Sequence, residues 1–373
     1  MNRTERVLIA AALLLFLGIF GLLLSLYRVD DKAASAEQPS VGVVLHGGID
    51  DAGWNRQHYV GIQKAADITG IKVYIVDGVT LNTSKGLEAL RQLSQQGRDF
   101  VIASSASFDN EAHKMWEEGF HTYFAIPKLE EQAEGCVPYL LRLYQAEYLA
   151  GILAGLQTSS HRIGYVAPMP KPEICRSINA FAIGAREANP QAEICAVFVG
   201  AWDDPRQEWN AAARLRDLGV DILNSHQDGM TVQRYADAHG MEYISYLEPY
   251  LPNGKRRSER SLATVLCHWD AVYETMFKDY LRGKLQKRYW MGMDVDAVDL
   301  GEFSPRVNAG VQAAIHRAKA RIKGGSSIFS GEIRDNQGRL RCREGENLSD
   351  AALIHMDWYV EGVRFYEAAV VAP

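Results

Sequence analysis

The side chains able to do chemistry fall in short segments rich in aromatic, carboxylate, amide and imidazole groups. The first is Asp50-Asp51-Ala52-Gly53-Trp54-Asn55, with His58 one helical turn beyond Trp54. The second is Ser105-Ala106-Ser107-Phe108-Asp109. Residues 168–176 follow, then Ala201-Trp202-Asp203-Asp204-Pro205, His226-Gln227-Asp228-Gly229 and His268-Trp269-Asp270. Such an inventory suits binding of a small molecule through aromatic faces and polar groups. Trp54 is the stacking platform, and Phe108 or Trp202 closes the opposite face. Asn55 offers an acceptor and a donor to a ring edge, and Asp51 accepts from an amine. Asp109, at the end of the second segment, is a further candidate ligand residue. Asp228 can hold a diol, His58 faces the cleft and Trp269 walls it. Arg176 and Asn179 stand three apart on one helix and share a face. Each has a competing structural role: Trp54 as a helix-start anchor, Asn55 and Asp228 as helix caps, Arg176 and Asn179 as contacts between lobes.

Catalysis finds little support. Asp50 with Asp51, and Asp203 with Asp204, can be drawn as acid pairs, but adjacent residues on a strand point apart. No metal-ligand spacing, nucleophile elbow or phosphate-cradling loop accompanies them. The sequence therefore predicts no catalytic residue, no metal and no cofactor.

The elements that position these segments alternate along the chain. Short β-rich runs at 41–46, 73–77, 100–104, 123–126, 163–167, 195–200, 221–225, 243–247 and 263–267 are separated by helix-like stretches such as 55–69, 83–96, 145–156 and 174–188. Continuous apolar strands between amphipathic helices mean parallel sheets covered on both faces. So many strands fit two doubly wound α/β lobes, with the ligand beyond the carboxyl ends of the strands. A length of 373 residues and a hydrophobic content of 47% suit two such cores. The net charge of -6 gives nucleic-acid binding no electrostatic support.

The chain opens differently. Residues 7–27 form an uncharged apolar run, preceded by Arg3 and Arg6, long enough to span a bilayer. The positive bias keeps the amino terminus in the cytoplasm and exports the rest. An uncleaved anchor is favoured over a signal peptide cut near Ala34-Ser35-Ala36, because the run exceeds a signal core. No cysteine near its end offers a lipidation site. Cys136, Cys175, Cys195, Cys267 and Cys342 are scattered, without a C-x-x-C pair. They read as buried thiols, with Cys175–Cys195 the candidate bridge in an oxidising compartment.

The segments in this order resemble the basic membrane protein family of ABC-transporter substrate-binding proteins, which includes purine nucleoside receptors. Asp51-Ala52-Gly53-Trp54 looks like that family's first ligand loop. Gln145-Ala-Glu-Tyr-Leu-Ala-Gly-Ile-Leu-Ala-Gly155 is similar to its central helix. Pro172-Glu173, Arg176-Ser-Ile-Asn-Ala-Phe181 and Trp202-Asp-Asp-Pro205 match later loops, and His355-Met-Asp-Trp-Tyr-Val-Glu-Gly362 resembles its closing signature. Ala106 stands where relatives often carry an aromatic, so that stacking wall is either missing or shifted to Phe108.

The resemblance implies a type I periplasmic-binding architecture after the N-terminal hydrophobic helix. Residues 1–40 are anchor or signal peptide plus linker. Lobe I takes 41–130 and 266–285, and lobe II takes 131–265 and 286–373. It implies an extracytoplasmic or periplasmic protein, tethered by residues 7–27, that closes on a purine nucleobase or nucleoside. An ABC permease would be its partner. A membrane-tethered sensor signalling to a receptor is the alternative. A nucleoside-processing enzyme is weaker, and a transcription regulator weaker still, since no helix-turn-helix precedes the sheets.

Overall fold

A computed structural model describes residues 38–368 except 52, 82, 131–133 and 247–257. The apolar run at 7–27 lies outside the described residues, and among those described no helix is long and apolar enough to cross a membrane.

Two parallel sheets carry the fold. The first contains β1 (Ser40–Val44), β2 (Lys72–Val76), β3 (Phe100–Ala103), β4 (Tyr123–Ile126), β5 (Cys136–Leu141) and β11 (Tyr289–Met291), in the order β11-β5-β4-β3-β1-β2. The second contains β6 (Arg162–Ala167), β7 (Glu193–Phe198), β8 (Ile222–Ser225), β9 (Glu242–Tyr246), β10 (Ser261–Cys267), β12 (Val298–Gly301) and β15 (Val363–Phe365). Its order is β12-β10-β9-β8-β6-β7-β15, and only β12 runs antiparallel to its neighbour. Each sheet repeats one winding: its first two strands pair, and the third lies on the far side of the first. The order therefore reverses at β1/β3 and again at β6/β8, where a doubly wound sheet opens a crevice.

The helices alternate with the strands as the periodicity requires. In the first half they are α1 (Trp54–Thr69), α2 (Ser84–Gln95) and α3 (Asp109–Glu117). α4 (Tyr144–Gln157), α5 (Pro172–Ala188), α6 (Pro205–Asp217) and α7 (Thr231–His239) belong to the second half. α8 (Trp269–Leu281), α9 (Ala309–Lys323) and the short α10 (Asp350–Ile354) follow, with a β13 (Ile333–Arg334) and β14 (Leu340–Cys342) hairpin between the last two. Gly70 and Gly240 end α1 and α7 at φ of 73° and 70°, a left-handed turn that a side chain resists.

The lobe boundaries differ from those read in the sequence. β5 pairs with β4, so the first sheet extends to Leu141 and not to about 130. β10 belongs to the second sheet through Cys267, and β11 returns to the first. The chain thus crosses between lobes after β5, after β10 and after β11. All five cysteines are free, so Cys175 and Cys195 are not bridged; Cys175 donates to the Tyr359 hydroxyl instead.

α4 explains why its motif is so rich in small residues. It is buried on nearly every side and lies directly against α5. A Cβ at Gly151 would stand 2.0 Å from the Phe181 carbonyl oxygen, and one at Gly184 would stand 2.1 Å from that of Tyr148. Only glycine permits backbones that close.

Candidate functional site

A cavity of about 350 Å³ opens where the carboxyl ends of both sheets face each other. The first lobe lines it with His46, Trp54, Ser104 to Ser107 and Pro127. The second contributes Lys171, Glu173, Arg176, Trp202, Asp203, His226, Asp228 and Tyr246. Leu141 and Cys267, which end the strands before two crossovers, and Tyr144 and Trp269, which begin the helices after them, complete the lining.

The α1 start is built around Asp51. Its Oδ1 accepts from the backbone N–H of Gly53 at 3.0 Å and of Arg56 at 2.9 Å. Its Oδ2 accepts from the Asn55 N–H at 3.0 Å and from Asn55 Nδ2 at 2.8 Å. Those bonds satisfy orphan donors of the first helical turn. They place Trp54 with its indole Nε1 donating to the Ser104 carbonyl at 2.7 Å. Trp54 meets His58 and Trp269 edge-on, at centroid separations of 4.3 and 5.4 Å. Its orientation is thereby fixed before any ligand arrives.

Of the residues singled out in the sequence, Trp54, Arg176, Trp202, Asp228 and Trp269 line the cavity, and six do not. Asp51 is committed to the helix start. Asn55 is buried with its amide spent on Asp51 and its carbonyl accepting from the Ser104 hydroxyl at 3.1 Å. His58 is fully buried, bonded through Nδ1 to the Tyr273 hydroxyl, and its ring backs Trp269 at 4.1 Å. Burial, then the neighbouring His46, holds His58 well below the usual histidine range, so it is neutral. Phe108 is 1% exposed in the first lobe's core, against the α2 backbone at Gly86, and not a stacking wall. Asp109 pairs with Lys128 at 2.5 Å. Asn179 clamps the C-terminal tail: Nδ2 donates to the Trp358 carbonyl at 2.8 Å, and Oδ1 accepts from the Val360 N–H at 2.9 Å.

Sequence reading passed over several wall residues. His226 is buried beside Trp202, pushed down to about 4 by burial, and its Nδ1 has no partner among the described residues. Trp269 Nε1 is likewise buried at the cavity and has no partner among the described residues. Both are polar groups that a ligand edge could satisfy. His226 lies in a segment already marked for its position after a strand, and that placement is the signal that could have found it. Tyr246 and Cys267 end strands whose apolar character hides them.

Asp228 faces the cleft with its carboxyl pushed up to about 7, first by burial, then by Asp51, Asp203 and Glu208. Asp203 and Asp204 are not an acid pair. Asp204 caps α6 by accepting from the N–H groups of Arg206 and Gln207, while Asp203 lines the cavity. Among the described residues, no group of three or more His, Cys, Asp or Glu side chains is disposed to hold a metal ion.

Residues 38–332 match the Bmp family model, described as ABC transporter substrate-binding protein PnrA-like. The chain is 27% identical to a purine-binding protein of Brucella abortus over 342 residues, covering 90% of this chain and 96% of that one. It is 28% identical to a putative ABC transporter glucose-binding protein of Haloferax volcanii, covering 74% of this chain and 69% of that one. Among solved structures, a transcriptional activator of the comK gene from Bacillus halodurans superposes with a TM-score of 0.66 at 22% identity, covering 77% of this chain and 98% of that one. A solute-binding protein from Aeropyrum pernix gives 0.62 at 18%, covering 80% and 93%. These structures share the two-lobed α/β fold, and with the family model spanning most of its length the chain belongs to the Bmp, PnrA-like family of ABC-transporter substrate-binding proteins.

Proposed function

We propose that the protein is an extracytoplasmic receptor that closes on a purine nucleobase or nucleoside and delivers it to an ABC importer. The observation that carries this reading is Trp54, locked by its indole N–H at the mouth of a cavity whose opposite wall holds Asp228, His226 and Trp202. A fixed aromatic face suits a ring system, and unspent polar groups suit its edge. The name of the Brucella relative points the same way.

Both lobes line the cavity, so a ligand that touches both favours the closed form by the difference between its contacts in the two states. Binding without turnover is all that this requires. Residues 7–27 would tether the receptor to the membrane it serves. The same closure could signal to a membrane receptor.

The test is a thermal-shift screen of the full chain against purines, sugars and amino acids. A ligand at a hundred times its dissociation constant stabilises by about 2.7 kcal/mol. Purines are expected to raise the melting midpoint. A response to sugars alone, as the name of the Haloferax relative would suggest, would overturn the purine reading and leave the fold intact.

A further inference from the structure

The segment after the β13–β14 hairpin lies beyond the family match at 38–332, yet its contacts converge on the hinge and the cleft. Asp350, the first residue of α10, accepts from Arg142 through both oxygens, at 2.9 and 2.7 Å. Arg142 stands on the first crossover, directly after β5. Its Nε donates to the Trp290 carbonyl on β11 at 3.1 Å, and its guanidinium lies 3.9 Å from the Trp290 ring centroid.

The other end of α10 meets the cleft wall. The carbonyls of Leu353 and Ile354 accept from Arg176 Nη1 at 2.7 and 3.3 Å. Arg176 is 3% exposed, lines the cavity and lies 5.3 Å from the same Trp290 ring. A guanidinium so buried needs fixed acceptors, and the carbonyl end of a helix provides them. The paired bonds at Asp350 fix an angle as well as a distance.

We propose that residues 350–354 form a hinge strap that positions Arg176 in the cleft wall; this rests on the cleft being the ligand site. Through Arg142 the strap holds the first crossover, and through Arg176 it holds a wall of the second lobe. Arg176 is here a positioning partner of the strap as well as a cavity residue.

Asp350→Asn in the full chain is the test, because the side chain is half exposed and its loss costs the fold little. Labels at Lys114 on α3 and Ala238 on α7 report the distance between lobes without ligand. Stopped-flow release of adenosine, or of whichever purine the screen finds, reports the closed state. The expected result is a broader distance distribution and about fivefold faster release. Glu332→Gln removes a comparably exposed ion pair away from the hinge and should match the native chain. Asp350→Asn overlaying the native chain in both measurements would overturn the strap. If the native chain binds no purine, the ligand reading fails, and the distance arm alone decides the strap.

Discussion

Gly53 of the first lobe meets the backbone carbonyl of Asp228 in the second: a Cβ built on Gly53 would stand 2.5 Å from that oxygen. The contact joins the helix start that holds Trp54 to the loop that carries Asp228. It is backbone against backbone, so neither side can swing away. Gly53→Ala should therefore stop the lobes short of full closure. Overpacking of this kind costs about 1–3 kcal/mol, which corresponds to about five- to 150-fold in ligand affinity. Calorimetry would read the weaker binding, and the melting midpoint without ligand should stay close to native.

Trp54→Ala removes the proposed stacking face. Stacking of a base is worth about 1–3 kcal/mol, so purine affinity should fall by about five- to 150-fold. Phe108→Ala is the informative contrast. Phe108 packs in the core outside the cavity, so its truncation should cost stability, about 3–5 kcal/mol, and leave the affinity of the folded fraction unchanged. Parallel titrations and denaturant melts of the two variants separate these effects. Loss of affinity in Phe108→Ala with Trp54→Ala unaffected would reverse the assignment.

Much of the fold was legible because its signal is local. The apolar runs and the helix period gave α1, α2, α4 and α5 to within a residue or two of their observed ends. β5 escaped because it carries Pro138, which ordinarily argues against an inner strand. Site residues were legible as a neighbourhood and not one by one. Position after a strand brought Trp54, Trp202, Asp228 and Trp269 to the cavity. The same position also gathers helix-capping groups, and type alone does not separate Asp51, spent on four donors of its own turn, from Asp228, which is not. Asn179 shares a helix face with Arg176, but its partners lie 177 to 181 residues away in the tail, beyond any local pattern.

The central-helix motif contains a buried carboxyl with a pH signature. Glu147 is fully buried, accepts from Asn224 Nδ2 at 2.7 Å and is pushed from 4.5 up to about 8, chiefly by burial. It is therefore protonated at neutral pH. The sign follows: a raised carboxyl lends stability that is complete below 4.5 and lost as pH rises through about 8. Glu147→Gln keeps an acceptor for Asn224 and cannot ionise. Its melting midpoint should fall less steeply than that of the native chain between pH 5 and 8. Parallel slopes in the two proteins would mean that Glu147 does not titrate there.

Gly151 and Gly184 set how closely α4 and α5 approach, and that approach fixes where α5 delivers Arg176. A methyl at position 151 would lie 2.0 Å from the Phe181 carbonyl oxygen, and one at 184 would lie 2.1 Å from the Tyr148 carbonyl oxygen. Either substitution must push the helices apart, because the obstacle is backbone. Alanine is a better helix former than glycine by about 1 kcal/mol, so propensity alone predicts stabilisation. Overpacking at about 1–3 kcal/mol or more opposes it and should win. Gly151→Ala and Gly184→Ala are thus expected to lower the denaturant midpoint, whereas Gly310→Ala, where the nearest neighbour of the new methyl is the Asn308 side chain at 3.1 Å, should lower it far less. A rise in stability for Gly151→Ala would show that the two helices can separate without loss, and the glycine spacing would then need another cause.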